Sequence, residues 1–437
     1  MLNKSFVLLS IVFAFSVHTV TSEELRPEGI ASATNAVYSK DLIHTAFELN
    51  PDIQSAKAKW AQTIERYPQE TSLEDPVLNF SYYVENVETR VGPQNYSVGI
   101  SQKFPFPGTL RQKGRVVEKE IAIASLQYEK TVRDVIAELK HAIYEIQYLD
   151  GAIDITRNNQ NLLKEILAFT QNQYTRQNSS LNDVFRAESQ LAQLDYDLIT
   201  LHELRAVQQT VINSILNRPS DALIGFIASP IPKEATFAID ELDRLVQTQN
   251  QEIRLSQLGV EKSEESVRLA QKRTLPTFSL GANYIDTGNA LNATTLDSGK
   301  DPVIVGGGMS IPLWFGKNRA LVRYAKEGRK AAGQQHSSVL NGIKVDLRKT
   351  FFKLQNAHRL VVLYRDHLIP QAEHSLQIAE EWNGTKPGNS SELLEVQSVW
   401  LNFNLAWLRA QIDYAQSLVQ LEQLAGGSLS SLTDMER

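Results

Sequence analysis

The chain contains no cysteine. That excludes disulfides, thiolate metal sites, a cysteine nucleophile and a lipid anchor on an N-terminal cysteine. Methionine is scarce, at three residues, so there is no methionine cluster to hold a soft metal ion. The net charge of −6 offers no basic footprint for nucleic acid. Beyond the N-terminus there is no long apolar run. An exported chain of this kind is periplasmic, secreted or an outer-membrane barrel. Catalytic patterns are also missing: there is no His-Glu-x-x-His, no Gly-x-Ser-x-Gly and no phosphate loop. The triple glycine Gly306-Gly307-Gly308 lacks a phosphate loop's lysine and reads as small residues in a strand. His367 and His374 lie seven apart on one helical face and read as solvated side chains, not as a metal pair. No cofactor and no enzyme activity are expected.

What is present begins with an export signal. Lys4 supplies a positive start, Phe6 to Val17 is an apolar run broken only by Ser10 and Ser16, and Val20-Thr21-Ser22 offers small residues for cleavage. The run is too short for a spanning helix, which needs about 20 apolar residues. Residues 1–22 are therefore expected to be a signal peptide and 23–40 an N-terminal extension.

An internal repeat organises the rest. Leu42, Asn50, Ile53, Glu65 and Pro76 recur as Leu242, Asn250, Ile253, Glu265 and Pro276, each pair 200 apart. Further on, Gly99 and Ser101 match Gly308 and Ser310, 209 apart, and Leu139 and Gln147 match Leu347 and Gln355, 208 apart. The jump in offset marks a longer polar loop at 286–301 in the second copy. The boundaries are then 41–218 for the first repeat, 219–239 for a proline-containing linker, 240–427 for the second repeat and 428–437 for a tail.

Each repeat reads as helix, strand, strand, long helix, turn, helix. In 77–85, Leu78, Phe80, Tyr82 and Val84 alternate with Asn79, Ser81, Tyr83 and Glu85. The second strand sets Tyr96, Val98 and Ile100 against Ser97, Gly99 and Ser101; the second copy repeats both patterns near 278–284 and 303–311. A face of Asn, Ser and Gly suits a wet lumen better than a packed interior. The segment 108–177 holds no proline, and its apolar positions Leu139, Ile143, Ile146 and Ile153 follow heptad spacing, with Asp150 in one apolar slot. About 70 residues make a helix of roughly 105 Å. The shorter helices expected at 41–66 and 180–217, stacked end to end, match it; 240–273, 316–383 and 390–423 repeat the scheme. Four strands cannot close a barrel, and open edges are not tolerated in lipid. Two chains would give eight strands with a filled interior. Three would give twelve with a lumen.

These segments resemble the TolC-like outer-membrane efflux family. Leu49-Asn50-Pro51 is similar to its opening element and 101–108 to its strand-to-helix transition. Asn182-Asp183-Val184-Phe185-Arg186-Ala187-Glu188 and Glu392-Leu393-Leu394-Glu395-Val396-Gln397 resemble its two helix-turn signatures. Ile369-Pro370-Gln371-Ala372-Glu373 resembles a further element and puts a proline inside the long helix, where a kink or break is expected. The resemblance implies a mainly α protein with a transmembrane β-barrel part. Long antiparallel hairpins would form an α-barrel, and four strands per chain would close a twelve-stranded barrel in a homotrimer. It further implies contact with outer-membrane lipid, a periplasmic helical extension, a periplasmic adaptor and an inner-membrane pump of the resistance-nodulation-division type.

The resemblance places the second-copy tip at a narrow aperture, with Glu392, Glu395 and Asp183 as candidate lining carboxylates. Ser180 stands three before Asp183, and Asn389 three before Glu392, which is also capping-box spacing. Ser179, Ser180, Asn389, Ser390 and Ser391 form the candidate adaptor-docking tips. The function expected is a passive exit duct for metal ions or small toxic compounds. A duct for type I protein secretion and a periplasmic coiled-coil scaffold are the alternatives.

Overall fold

A computed structural model describes residues 37–225, 227–228, 231–232, 237–292, 294–385, 390–427 and 429. The expected signal segment 1–22, most of the 23–40 extension and nearly all of the tail lie outside these residues. The first repeat runs β1 (Val37–Tyr38), α1 (Ser39–Leu49), α2 (Pro51–Thr71), β2 (Val77–Tyr82), β3 (Glu88–Thr89), β4 (Gly92–Phe104), α3 (Thr109–Thr175) and α4 (Leu181–Ile215). After β5 (Ile227–Ala228), which pairs in parallel with β1, comes the second repeat. It runs α5 (Ile239–Gln249), α6 (Gln251–Lys272), β6 (Phe278–Thr287), β7 (Val303–Met309), α7 (Phe315–Leu363), a π-helical turn (Tyr364–Leu368), α8 (Ile369–Thr385) and α9 (Ser390–Ala425).

The helices expected as single pieces at 41–66 and 240–273 are each broken once, at Asn50 and at Asn250. Asn50 has extended backbone angles (φ −64°, ψ 126°), and so does Asn250 (φ −60°, ψ 126°). Proline follows only the first, so the break belongs to the asparagine. Asn50 Oδ1 accepts from the N–H groups of Asp52 (3.0 Å) and Ile53 (3.1 Å), capping α2. Its Nδ2 donates to the carbonyl of Ile215 at 2.9 Å, one of the unpaired carbonyls ending α4. Asn250 does the same, accepting from Glu252 and Ile253 and donating to the carbonyl of Leu424 at 2.9 Å. In each repeat one buried side chain joins the start of one short helix to the end of another. This is the expected end-to-end stacking.

Beside these joints lie two buried clusters related by the duplication. Leu42, Ile53, Leu139, Ile146 and Ile212 form one; Leu242, Ile253, Leu347, Leu354 and Leu421 occupy the matching places in the other. A third cluster, with Leu163, Ala187, Leu194, Leu393, Leu394 and Leu401, unites the two hairpins toward their tips. Asp150, the misfit of the heptad pattern, forms an ion pair with Arg205 of α4.

The long helices differ. α3 runs unbroken for 67 residues, about 100 Å at 1.5 Å per residue. Its counterpart is interrupted just before Pro370, as a π-turn instead of a sharp kink. Pro370 has no N–H for the Asp366 carbonyl, and its ring would press on that group. A wider turn relieves the misfit while the helix continues.

α2 packs on α3, α3 on α6 and α6 on α7. The sheet has the same order, β2-β4-β6-β7, antiparallel throughout. Each helix of this row adjoins in sequence the strand of the same rank. The change from β4 to α3 is made at Gly108, whose φ of +83° favours a residue without Cβ. β4 is longer than expected, and β2 ends early at Tyr82, after which the chain turns and returns as the short β3 against β4.

Candidate functional site

The strand register turns the sequence alternation into two continuous faces. Leu78, Ile100, Ala282 and Val305 align across four strands, and Phe80, Val98, Tyr284 and Val303 align beside them. On the opposite face, Asn79, Gly99, Asn283 and Ile304 form one row, and Val77, Ser101, Gly281 and Gly306 another. The burial is inverted relative to a water-soluble sheet. Leu78 is 72% exposed and Val305 71%, while Ser97 on the small, polar face is 8% exposed. Water does not stabilise an uninterrupted apolar sheet face, but hydrocarbon does.

Space explains two of the glycines. A Cβ on Gly99 would lie 2.7 Å from Asn283 Oδ1, and one on Gly308 2.6 Å from Ser279 Oγ. Gly306-Gly307-Gly308 lies within a strand paired to β6, not in a loop at a helix start. Tyr82, Tyr96 and Tyr284 lie toward one end of the apolar face, and Phe104 and Phe278 are paired at the other. The exposed Leu313, Trp314 and Phe315 follow just beyond β7. Such girdles mark the two water–lipid boundaries of a barrel. Sequence reading missed them, although the aromatics toward both ends of β4 and β6 were a usable signal.

β2 and β7 end the sheet, each with a neighbour on one side only among the described residues. No described helix is long and apolar enough to cross a membrane.

At the first tip, α4 opens with a complete capping box. Ser180 Oγ accepts from the Asp183 N–H at 3.2 Å, and Asp183 Oδ2 accepts from the Ser180 N–H at 3.1 Å. The hydroxyls of Ser179 (3.2 Å) and Ser180 (2.8 Å) also donate to that carboxylate. Asp183 is only 7% exposed. At the second tip, Glu392 and Glu395 are exposed on one face, with Leu393 and Leu394 buried between them. The buried pair that opens α4 is Asp183 and Val184, so burial is one residue out of step between the copies and Glu392 is not placed as Asp183 is. Asn389 lies outside the described residues, as do the side chains of Ser390 and Ser391. His367 and His374 are exposed, and no group of three potential metal ligands occurs among the described residues.

Two polar links between the hairpins also went unread in sequence. Gln397 Nε2 donates to Asn159 Oδ1 at 3.0 Å, fully buried near the tips. Arg409 of α9 donates to both carboxylate oxygens of Glu145 on α3, each at 2.9 Å, and to Asp413, while its guanidinium lies 4.9 Å from the Tyr148 ring centre. Those carboxylates hold the guanidinium charge more firmly than burial opposes it, raising its pKa.

The model of a family described as outer membrane efflux protein matches residues 42–218 and 244–427. The chain belongs to this family. Its members are channels, not enzymes. The match falls into two blocks, separated by residues 219–243. Among solved structures, the fold is similar to that of the outer membrane protein VceC from Vibrio cholerae. The TM-score is 0.75 at 17% identity, covering 89% of this chain and 96% of that one. The CmeC outer membrane channel of Campylobacter jejuni matches at 0.70 with 15% identity, covering 91% of this chain and 88% of that one. The open state of the MtrE outer membrane channel of Neisseria gonorrhoeae matches at 0.70 with 15% identity, covering 90% and 89%. No match is found among curated protein sequences.

Proposed function

We propose that three copies of this chain close a twelve-stranded outer-membrane barrel that serves as the passive exit duct of a tripartite efflux pump. The observation that carries this reading is the inverted sheet with two open edges, joined at one end of each strand to a row of helices. Open edges in lipid leave backbone groups unpaired, and further copies of the same sheet satisfy them. The energy for transport would come from an inner-membrane pump of the resistance-nodulation-division type, reached through a periplasmic adaptor. The cargo is metal ions or small toxic compounds.

We assign the aperture to Glu392 and Glu395, and Asp183 to helix capping. Three chains would set six exposed carboxylates around one axis, a ring that attracts cations and repels anions. Replacing both glutamates with glutamine should reduce cation preference and divalent-cation block in planar-bilayer recordings without lowering stability. Unchanged selectivity and block would remove the aperture assignment. The adaptor is assigned to the two tips. Single cysteines at Ser179 or Ser390 should crosslink to it in cells; crosslinks only from positions near Tyr82 or Tyr284 would reverse the orientation.

A further inference from the structure

Where the sheet gives way to helices, the two repeats carry the same cationic pattern. Phe106, Arg111 and Arg115 recur as Trp314, Arg319 and Arg323, each pair 208 apart. Each set begins with an aromatic residue after the strand. Two arginines follow it, one turn apart, at the start of α3 or α7. Arg111, Arg319 and Arg323 are exposed and Arg115 is half-buried. None of the four has an ion-pair partner among the described residues; Arg319 donates only to the Phe315 carbonyl, at 3.4 Å. We infer that these arginines form a belt that binds the phosphates of anionic phospholipids in the membrane leaflet nearest the helices. The inference rests on the barrel proposed above and adds a lipid preference at one of its two rims.

The contacts of α3 fix which way its pair points. Lys113 and Glu120 pair with Glu70 and Arg66 of α2. Gln112 and Lys119 instead reach Glu265 and Glu261 of α6. At about 100° per residue, these two contact sets leave gaps of about 140° and about 220° around the helix. Arg111 and Arg115 fall inside the wider gap. In a closed ring of helices the wider gap between a helix's two neighbours lies on the outer surface, so the pair faces away from the lumen. On α7, the half-buried Asn318, Val322 and Ala325 mark the side packed on α6, and Arg319 and Arg323 stand off it.

Depth and chemistry both fit a lipid phosphate. Phe104 and Phe278 mark this boundary of the sheet, and Trp314 and Phe315 beyond β7 are 77% and 65% exposed. At 1.5 Å per residue, Arg319 lies about 6 Å and Arg323 about 12 Å along α7 from Phe315. The headgroup zone is about 5–8 Å deep on each side of a bilayer, and an arginine stem extends along the surface toward it. The guanidinium fork pairs with two phosphate oxygens at once. Aromatic rings immediately above the charges favour a lipid over an acidic protein segment, because such rings seat at headgroup level.

The test uses the full-length protein in nanodiscs of phosphatidylethanolamine with a minority of phosphatidylglycerol. Released into a native mass spectrometer, it should retain phosphatidylglycerol severalfold above that lipid's share of the disc. Arg111→Gln, Arg115→Gln, Arg319→Gln and Arg323→Gln combined should bring retention down to that share. Lys330→Gln, about 22 Å along α7 from Phe315, should leave it high. Raised salt should abolish the preference of the parent protein, which tests the belt even where the fourfold variant does not assemble. A trimer without the preference overturns the belt while the barrel stands, and so does a preference that survives the fourfold substitution or is lost equally in Lys330→Gln. Retention of lipopolysaccharide in place of phosphatidylglycerol by the same arginines would overturn the assignment to this leaflet. A parent protein of monomer mass with folded strands overturns barrel and belt together.

Discussion

Asn50 and Asn250 hold the same backbone angles and make the same three kinds of hydrogen bond, whereas α3 and its counterpart differ by a π-turn. The two repeats stay alike where each packs against its own short helices, because the joint demands one donor and two accepted bonds from a buried side chain. They part toward the tips. There, the first copy buries Asp183 in a capping box and the second exposes Glu392 and Glu395. Duplication thus preserves what holds each repeat together and releases what each repeat presents.

The contrast in the long helices can be broken directly. Asn161 is the exposed first-repeat counterpart of Pro370, 209 residues earlier. Asn161→Pro should cost about 3 kcal/mol or more, since α3 has no π-turn at that level to absorb the ring. Pro370→Ala should cost nothing and straighten the second helix. A chemical-denaturation series in detergent checks both; equal losses at the two positions would contradict the assignment of the π-turn to proline.

The likeness at the asparagines predicts equal penalties. Asn50→Ala and Asn250→Ala should each destabilise by about 2 kcal/mol, from a lost cap and a buried carbonyl left without a donor. Asn50→Asp keeps the acceptor and loses the donor, so it should fall between. A large effect in one copy alone would mean that only one joint holds the fold.

The tips should respond differently from each other. Ser180→Ala should cost about 1 kcal/mol of helix capping and leave ion selectivity unchanged, read by denaturation and by bilayer recording. The smallest effect is expected at the internal contact between repeats. Lys119 donates to Glu261 at 2.7 Å and holds its carboxyl below the usual value. A carboxylate with a lowered folded pKa adds stability above its unfolded pKa and loses it as pH falls through the folded value. Glu261→Gln should therefore cost about 0.5 kcal/mol near neutrality and flatten part of the acid limb of the stability profile.

Much of this organisation was legible in the chain itself. Period-two alternation located four strands, and the missing prolines located α3. Three features were not legible. The breaks at Asn50 and Asn250 depend on carbonyls more than 160 residues away, at Ile215 and Leu424, which no local propensity reveals. The relief of Pro370 by a π-turn depends on the preceding turn being free to widen. The one-residue difference in burial between Asp183 and Glu392 arises from packing between hairpins, where offsets taken from matched letters carry no information about phase.

On the proposed function, a four-stranded sheet with an outward apolar face is completed by further copies of the same chain. The most direct test is the mass of the purified, detergent-solubilised protein, measured alongside its strand content. The expected result is a single species of three chains, about three times 49.1 kDa less any cleaved segment, with the sheet folded. A stable monomer with its strands intact would contradict it.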